Sequence, residues 1–334
     1  MEFDFLLKKN IDLAIIFLLV LVFGFAGIIY VNRTVGTDTP TYIEIFESCL
    51  FTERAFWGIE PGFWALNRLV RSITPNYKVL FFLMYLISAL SVCRALYSLK
   101  TEISLSFSVI CYFALFYFQS LSLARMYLAS SIVLLSTVEL YQGKKIRSFI
   151  TLLLASSIHY SCLMMYIPWF FCFTKLDKKL YIVSLLTVGI FFTSGMMEYV
   201  IGLFPRYELY LDFIGEKSVV GVMFYVRALP LLILLLQSKS FFTEESFSFF
   251  FIYVFFLIFI FFISYFFIPI GRMWVHLEFV YLVFVSASLR YLKDTGVYRY
   301  GKLERILFLF LMISMCCLYI YEYHISDKLF INTI

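Results

Sequence analysis

The stretch FFFIYVFFLIFIFFISYFFI, residues 249–268, decides the fold class. It contains no charged residue, and about 20 apolar residues are what an α-helix needs to cross roughly 30 Å of hydrocarbon. Residues 13–30 are likewise apolar on every face, whereas the strands of an outer-membrane barrel would alternate in polarity. The chain is therefore expected to cross a membrane as helices.

The composition of the whole chain excludes an ordinary soluble domain. Of its 334 residues, 63% are hydrophobic and 15% are charged, which leaves too little polar surface to face water on all sides. The seven cysteines contain no CxxC pair and lie almost entirely in apolar segments, so we expect neither a metal site nor a disulfide framework. The absence of GxxxxGK[ST] and GxGxxG motifs argues against nucleotide hydrolysis, and no cofactor is expected.

Apolar windows separated by charged residues predict an all-α polytopic membrane protein with about eleven transmembrane helices in one domain, residues 1–334. The predicted spans lie near residues 12–30, 78–98, 103–122, 124–141, 147–158, 160–173, 180–202, 221–238, 247–268, 272–290 and 304–323. Two longer connections, residues 31–77 and 203–220, are predicted on the outer side.

The windows 147–158 and 160–173 are short, since twelve residues rise only about 18 Å at 1.5 Å per residue. We interpret them as a helical pair broken around Ser156-Ser157-Ile158-His159-Tyr160-Ser161, whose backbone protein or water must satisfy. A single tilted span is the alternative. It would place the later basic loops outside, against the positive-inside tendency.

The basic residues give the orientation. With Lys8 and Lys9 in the cytoplasm as part of a retained signal anchor, sixteen of the 27 Lys and Arg residues fall inside, including every compact basic loop. Eleven of these sixteen are Lys, whereas eight of the eleven outer residues are Arg. Because a guanidinium presents a rigid fork of donors that matches phosphate or carboxylate, the outer arginines indicate anion recognition.

The outer connection 31–77 is predicted to contain two short amphipathic helices that lie in the membrane interface. Thr39-Pro40 supplies an N-cap followed by proline at the first helical position, and Glu60-Pro61 repeats this pattern. Apolar residues then recur on one face of each segment.

Arg125 lies in QSLSLARMYLA, residues 119–129, between two apolar spans. A charge there costs about 2.5–3.5 kcal/mol on insertion scales, so another group must compensate it. One interpretation is an arginine that snorkels to the outer surface. The other is an anion clamp that faces the interior of the bundle, which the neighbouring Gln119, Ser120 and Ser122 favour.

Other candidates lie in or near the predicted spans. His159 at the predicted break can act as a general base, or it can simply bond a neighbouring carbonyl. His276 shares a helix face with Arg272 at the i, i+4 spacing, and the two residues can form either a functional pair or a structural one. Arg227, roughly 10 Å below the outer surface, allows the same two readings, and Arg206 lies in the second outer loop.

Residues 31–42, VNRTVGTDTPTY, place a basic and an acidic side chain on either side of a glycine turn. Arg33 is a candidate for binding phosphate, and Asp38 for positioning a sugar hydroxyl. An ion pair between Arg33 and Asp38, combined with a helix cap, is the structural alternative. Together the candidates indicate an outward-facing cavity suited to a lipid pyrophosphate and a sugar.

Four motifs occur in a fixed order, followed by an arginine in a late span, Arg272. They are Gly36-Thr37-Asp38-Thr39-x-x-Tyr42, Glu60-Pro61-Gly62-Phe63, Arg125-x-x-x-Ala129 and Ser157-x-His159-x-Ser161. In this set the chain resembles the EpsG family of bacterial polysaccharide-biosynthesis membrane proteins, which is similar to Wzy-type O-antigen and capsule polymerases. The resemblance covers residues from about 30 to 290, and residues 304–334 carry no matching motif.

The resemblance implies a helical bundle like that of the lipid-dependent, GT-C-like glycosyltransferases. It implies a multi-pass protein of the bacterial cytoplasmic membrane whose site faces outward, and the basic residues predict a cytoplasmic N-terminus. The implied reaction transfers a growing glycan from one undecaprenyl-pyrophosphate carrier to the terminal sugar of another lipid-linked repeat unit. Membrane lipids and a chain-length regulator are the expected partners, and nucleic acid is not.

The resemblance also assigns roles. Contacts to the pyrophosphate fall to three arginines: Arg33, Arg125 and Arg272. His159 would be the base or its orienter, while Asp38 and Glu60 would shape the acceptor site. The other expected substrate-binding residues are Tyr42, Arg206, Arg227 and His276. The carboxylates lie in no motif diagnostic of a covalent glycosyl intermediate, so retaining and inverting reactions both stay open.

Two other functions stay open. A flippase or exporter of lipid-linked glycans would also need a cationic cavity, but one that is reached from both sides. The inner half of the predicted spans is poor in polar residues apart from Glu139. A membrane acyltransferase would need a histidine reached from a cytoplasmic acyl donor, and the predicted outward placement of His159 argues against it.

Overall fold

The computed structural model of the chain describes residues 22–32, 36, 38–53, 58–174, 178–193, 244–264, 273–280, 282–283 and 286. Within these ranges every regular element is a helix and no strand occurs, which confirms the all-α class. The predicted spans 221–238 and 304–323 and the outer loop 203–220 lie outside the described residues.

The described part of the chain contains twelve α-helices. They are α1 (Val22–Val31), α2 (Thr39–Ser48), α3 (Pro61–Ile73), α4 (Tyr77–Ser98), α5 (Leu105–Tyr112), α6 (Phe118–Ser122), α7 (Ala124–Tyr141), α8 (Lys145–Ile158), α9 (Tyr166–Thr174), α10 (Lys178–Thr193), α11 (Glu244–Ser264) and α12 (residues 274–280). A π-helical turn, Phe113–Tyr117, joins α5 to α6, and a 3₁₀ helix, Tyr160–Met165, precedes α9.

Among the described helices, α4 is long and apolar enough to cross a membrane, and Val22–Val31 and Tyr160–Thr174 are shorter apolar helices. The predicted windows 78–98 and 124–141 correspond closely to α4 and α7. The window 103–122 differs, because the π-helical turn divides it into two α-helices. The total of eleven spans stays a prediction.

Helix α7 lies at the centre of the described part of the chain. Fifteen of its 18 residues are buried, and its most extensive packing is against α8 and α4. Several of these buried residues are alanine or serine, whose small side chains let neighbouring helices approach closely. The hydroxyls of Ser130, Ser131 and Thr137 donate to carbonyl oxygens of their own helix, so polar groups are satisfied inside the apolar core.

An ion pair fixes α8 to α7 at the end far from Arg125. Arg147 Nε lies 2.7 Å from Glu139 Oε1, and Thr151 Oγ1 donates to Glu139 Oε2 at 2.8 Å. Ser136 and Ser148 donate to each other's carbonyl oxygens beside this pair. The Glu139 carboxylate therefore holds α7 and α8 together.

Both helices predicted in the connection 31–77 are present, each with proline in its first turn. The predicted N-cap of the first was wrong, because the helix begins at Thr39 and its N-cap is Asp38. Neither Asp38 nor Glu60 caps its own helix through its side chain. The Glu60 carboxylate instead bonds to groups on other elements.

Two glycines of the motifs permit close contacts between these helices and the core. A Cβ added at Gly62 would overlap Ser157 Oγ and lie 2.9 Å from the Ser157 carbonyl carbon, so the start of α3 rests against the end of α8. Gly36 has a φ of 115°, which favours glycine, and a Cβ there would overlap the carbonyl oxygen of Leu121. The turns of the first two motifs thus pack against the ends of α6 and α8.

Gly62→Ala is expected to lower the free energy of unfolding by roughly 1–3 kcal/mol, because the added methyl must push α3 away from α8. Thermal unfolding of the purified protein in detergent measures this loss. Gly24→Ala is the matched control, since an added Cβ there meets no atom within 4 Å. An unchanged midpoint for Gly62→Ala would contradict the close packing of the two helices.

Candidate functional site

The helical path breaks at His159. Helix α8 ends at Ile158, His159 has an extended backbone with φ −147° and ψ 116°, and the 3₁₀ helix begins at Tyr160. The pair of short helices predicted around this residue is therefore present. The polar run on both sides of His159 is the sequence signal for it.

A helix that starts inside a packed bundle exposes backbone N–H groups that need acceptors. Tyr160 N donates to Glu60 Oε1 at 3.2 Å, and Cys162 N donates to the carbonyl oxygen of His159 at 3.0 Å. The acceptor for Tyr160 is thus a side chain that lies 100 residues earlier in the chain. Glu60 stabilises the start of a helix other than its own.

The second carboxylate oxygen of Glu60 pairs with Arg125. Arg125 Nη1 donates to Glu60 Oε2 at 2.7 Å, and the Arg125 guanidinium carbon lies 5.4 Å from the centre of the Phe63 ring. The Glu60 side chain is 6% exposed and that of Arg125 is 23% exposed. The Arg125 guanidinium therefore faces the protein, with Glu60 as the compensating charge, and the binding of an anion by Arg125 stays a prediction.

Tyr42 connects the first motif to the start of α7. Its hydroxyl accepts from the backbone N–H of Arg125 at 3.4 Å and donates to Asp38 Oδ2 at 3.3 Å. Because no side chain from the residue at its N-cap serves α7, this phenol satisfies one of the first N–H groups of the helix. Burial raises the pKa of Tyr42 well above its usual range and Asp38 raises it further, so the phenol keeps its proton.

His276 from α12 reaches the break from another side. It is fully buried, with Ser161 Oγ 2.5 Å from its Nε2 atom and Ser130 Oγ 2.7 Å from its Nδ1 atom. Ser161 Oγ also lies 2.8 Å from His159 Nδ1, and the two imidazole centres are 5.8 Å apart. Side chains from α7, α12 and the break thus form one hydrogen-bonded row.

The six described residues that the sequence analysis proposed for the site differ in their exposure to solvent. The partly exposed ones are Asp38, Arg125 and His159. The buried ones are Tyr42, Glu60 and His276. Glu60 connects two of the exposed residues, since its Oε1 atom is 4.0 Å from His159 Nδ1 and its other oxygen pairs with Arg125. Tyr42 connects Asp38 to Arg125, and His276 contacts His159 through Ser161. The structure therefore gathers all six into one cluster.

The other proposed site residues lie outside the described residues: Arg33, Arg206, Arg227 and Arg272. In the part of the chain that the structure describes, no three His, Cys, Asp or Glu side chains form a cluster that could hold a metal ion. The cluster presents a guanidinium, a carboxylate and an imidazole, which are groups suited to anion binding and proton transfer.

Sequence reasoning missed two residues of the site, Ser130 and Ser161, as partners of His276. Ser161 belongs to the motif around His159, which was a signal for its place but not for its partner. Ser130 lies in a helix with several small polar residues, and nothing local distinguishes it from Ser131. Only the packing of α12 against α7 shows that Ser130, and not Ser131, bonds to His276.

The described residues thus form a helical protein with one helix long and apolar enough to cross a membrane and with a charged cluster at its helix ends. A family model described as EpsG family matches residues 15–332, and the chain belongs to that family. The protein thus has a membrane-associated, polymerase-type role in polysaccharide biosynthesis. The match is longer than residues 30–290 and takes in most of 304–334, which the motifs did not reach. No curated protein and no solved structure matches the chain.

Removing either partner of the Glu60–Arg125 pair is expected to lower the free energy of unfolding by about 3 kcal/mol, because the charge that remains is poorly hydrated. Glu60→Ala, Arg125→Ala and the double variant form a cycle, in which the double variant should lose less than the sum of the single losses. Unfolding of the purified proteins in detergent provides the values.

The pair of Glu139 and Arg147 is the matched comparison. Its N–O distance is also 2.7 Å and its carboxylate is likewise buried, with 4% of the Glu139 side chain exposed, so Arg147→Ala should cost about 3 kcal/mol, as Arg125→Ala does. Strictly additive losses in the Glu60–Arg125 cycle would show that the two side chains do not stabilise one another.

Proposed function

We propose that this protein is a glycosyltransferase that polymerises lipid-linked oligosaccharide repeat units into O-antigen, capsule or exopolysaccharide. The donor is the growing glycan on undecaprenyl pyrophosphate, and the acceptor is the terminal sugar of a second lipid-linked unit. The reaction is proposed to occur at the outer face of the bacterial cytoplasmic membrane, with a chain-length regulator as partner. Besides the family, the observation that supports it is the cluster in which Glu60 joins Arg125 to His159 and Tyr42 joins Asp38 to Arg125.

The proposed reaction needs a proton acceptor and a stabilised leaving group. His159 takes the proton of the acceptor hydroxyl, whose oxygen forms a bond to the anomeric carbon of the donor. The bond between that carbon and the pyrophosphate oxygen breaks, and undecaprenyl pyrophosphate leaves with the bonding electrons. An imidazole suits the first step because its unperturbed pKa lies near 6.5, and guanidinium groups suit the second because they stabilise phosphate charge.

Arg125 is the described arginine that we assign to the pyrophosphate. Glu60 accepts a hydrogen bond from Nη1 and so fixes the guanidinium, while Nε is buried and has no hydrogen-bond partner among the described residues. A guanidinium carries five N–H donors, so the ion pair leaves donors for phosphate oxygens. The arginines proposed to complete the cationic site are Arg33, Arg206, Arg227 and Arg272.

Asp38 is proposed to orient the acceptor sugar through its partly exposed carboxylate. Direct contact with substrate was expected of three residues that are buried: Tyr42, Glu60 and His276. Their burial favours supporting roles. Tyr42 holds Asp38 beside the start of α7, and Glu60 holds Arg125 beside the break.

His159→Ala and Arg125→Ala are expected to leave single repeat units in place of long glycans, because the first removes the base and the second a phosphate ligand. Cells that carry only the variant supply the glycans, which are resolved on a gel, and the amount of protein in the membrane is measured in parallel. Arg125→Lys keeps the charge beside Glu60 but loses the planar fork, so it should shorten the glycans even if the alanine variant folds poorly.

Arg147→Ala is the control, since it breaks an ion pair of the same length at the opposite end of α7 and should leave long glycans. Undiminished chain length in both His159→Ala and Arg125→Lys would contradict the proposal. Repeat units trapped in the inner leaflet of a deletion strain would instead indicate a flippase.

A further inference from the structure

A row of hydrogen-bonded side chains leads from His159 into the interior of the bundle. It runs from His159 Nδ1 to Ser161 Oγ at 2.8 Å, on to His276 Nε2 at 2.5 Å, and from His276 Nδ1 to Ser130 Oγ at 2.7 Å. It ends where Ser130 Oγ donates to the carbonyl oxygen of Met126 at 2.8 Å. The last group is a carbonyl, which accepts hydrogen bonds and donates none.

That carbonyl sets the direction of the whole row, because each hydroxyl has one proton. Because the Ser130 hydroxyl donates its proton to the Met126 carbonyl oxygen, the Ser130 oxygen must accept a hydrogen bond from His276 Nδ1–H. The Nε2 atom of His276 then carries no proton and accepts from the Ser161 hydroxyl. The Ser161 oxygen in turn accepts from His159 Nδ1–H, so neutral His159 carries no proton on Nε2.

The opposite direction fits the distances less well. It would turn the Ser130 hydroxyl away from the Met126 carbonyl, although these two oxygens lie 2.8 Å apart. Ser161 N lies 3.3 Å from His159 Nδ1 and would suit an unprotonated Nδ1, but the contact with Ser161 Oγ at 2.8 Å is the shorter. The neighbouring Cys162 Sγ is farther still, 3.7 Å from both nitrogens of His276.

We propose that Ser161 and His276 are positioning residues that hold His159 as the tautomer with a proton on Nδ1 and none on Nε2. This rests on the proposed function, in which His159 is the base. The proton of the acceptor hydroxyl adds to Nε2 and gives an imidazolium, whose Nδ1–H stays bonded to Ser161 and which later returns the added proton to water. Glu60 Oε1, 4.0 Å from Nδ1, lies close enough to stabilise the positive charge.

The role of His276 is therefore to orient and not to contact substrate. Its ring is fully buried, and both of its nitrogens are engaged by serine hydroxyls. A second imidazole is suited to this place because it can accept at one nitrogen while it donates at the other. Ser130 completes the arrangement by anchoring the far nitrogen to the backbone of α7.

The direct test is the protonation site of His159, measured by ¹⁵N NMR of the full-length protein with labelled histidine. The chain has three histidines, His159, His276 and His324, so single substitutions assign every signal. The expected result is a neutral His159 with protonated Nδ1 and unprotonated Nε2, and a loss of this preference in Ser161→Ala and His276→Ala. A proton on Nε2 of neutral His159 in the unsubstituted protein would overturn the proposal.

The kinetic test uses the strain's own lipid-linked repeat unit, extracted from cells that lack the protein, as substrate. Ser161→Ala and His276→Ala should lower kcat by roughly ten- to a hundredfold and leave KM near its original value, since only the proton transfer is affected. Ser161→Thr keeps the hydroxyl and should restore most of the rate. A kcat near the original value in Ser161→Ala would overturn the proposal.

Ser130→Ala and Ser131→Ala form a matched pair. Both hydroxyls are fully buried and both donate to carbonyl oxygens of α7, but only Ser130 bonds to His276. The proposal requires a lower kcat in Ser130→Ala and an unchanged kcat in Ser131→Ala. An equal loss in the two variants marks a packing effect and overturns it.

Failure of this proposal and failure of the proposed function give different results. An inactive His159→Ala together with a fully active Ser161→Ala removes the positioning role and leaves the base in place. A fully active His159→Ala removes the base itself and, when Arg125→Lys is fully active as well, the proposed function.

Discussion

The ion pair between Glu60 and Arg125 is the contact on which the rest of the site depends. One carboxylate joins α3 to the first turn of α7 and, through its other oxygen, to the helix that begins after His159. These partners lie 65 and 100 residues away along the chain. Because both charges are largely shielded from solvent, removing either one leaves the other without a partner and poorly hydrated.

The two ends of α7 use ion pairs differently. At one end Arg147 reaches solvent while it pairs with Glu139, an arrangement that fastens α8 to α7 and keeps one charge hydrated. At the other end Arg125 is less exposed, and it lies with His159 beside a helix break whose backbone also needs partners. Concentrating charges and a helix break at one place in an apolar bundle is costly, and it is typical of a site that acts on a polar substrate.

Features that depend on neighbouring residues alone, such as helix starts and helix breaks, were predicted from the sequence. Proline in the first turn marked α2 and α3, and the polar run around His159 marked the break. The need of Arg125 for a compensating charge was also predicted, but its partner was not, because the choice of Glu60 depends on how α3 packs against α8. The serines that bond to His276 were missed for the same reason, since a sequence without its packing gives no distances between α7, α12 and the break.

The most direct measurement of the central claim is an experimental structure of the protein with undecaprenyl pyrophosphate bound. The account predicts pyrophosphate oxygens within about 3 Å of the Arg125 guanidinium, with Glu60 still paired to it and His159 facing the same space. Pyrophosphate bound at the opposite end of α7, beside Glu139 and Arg147, would contradict it.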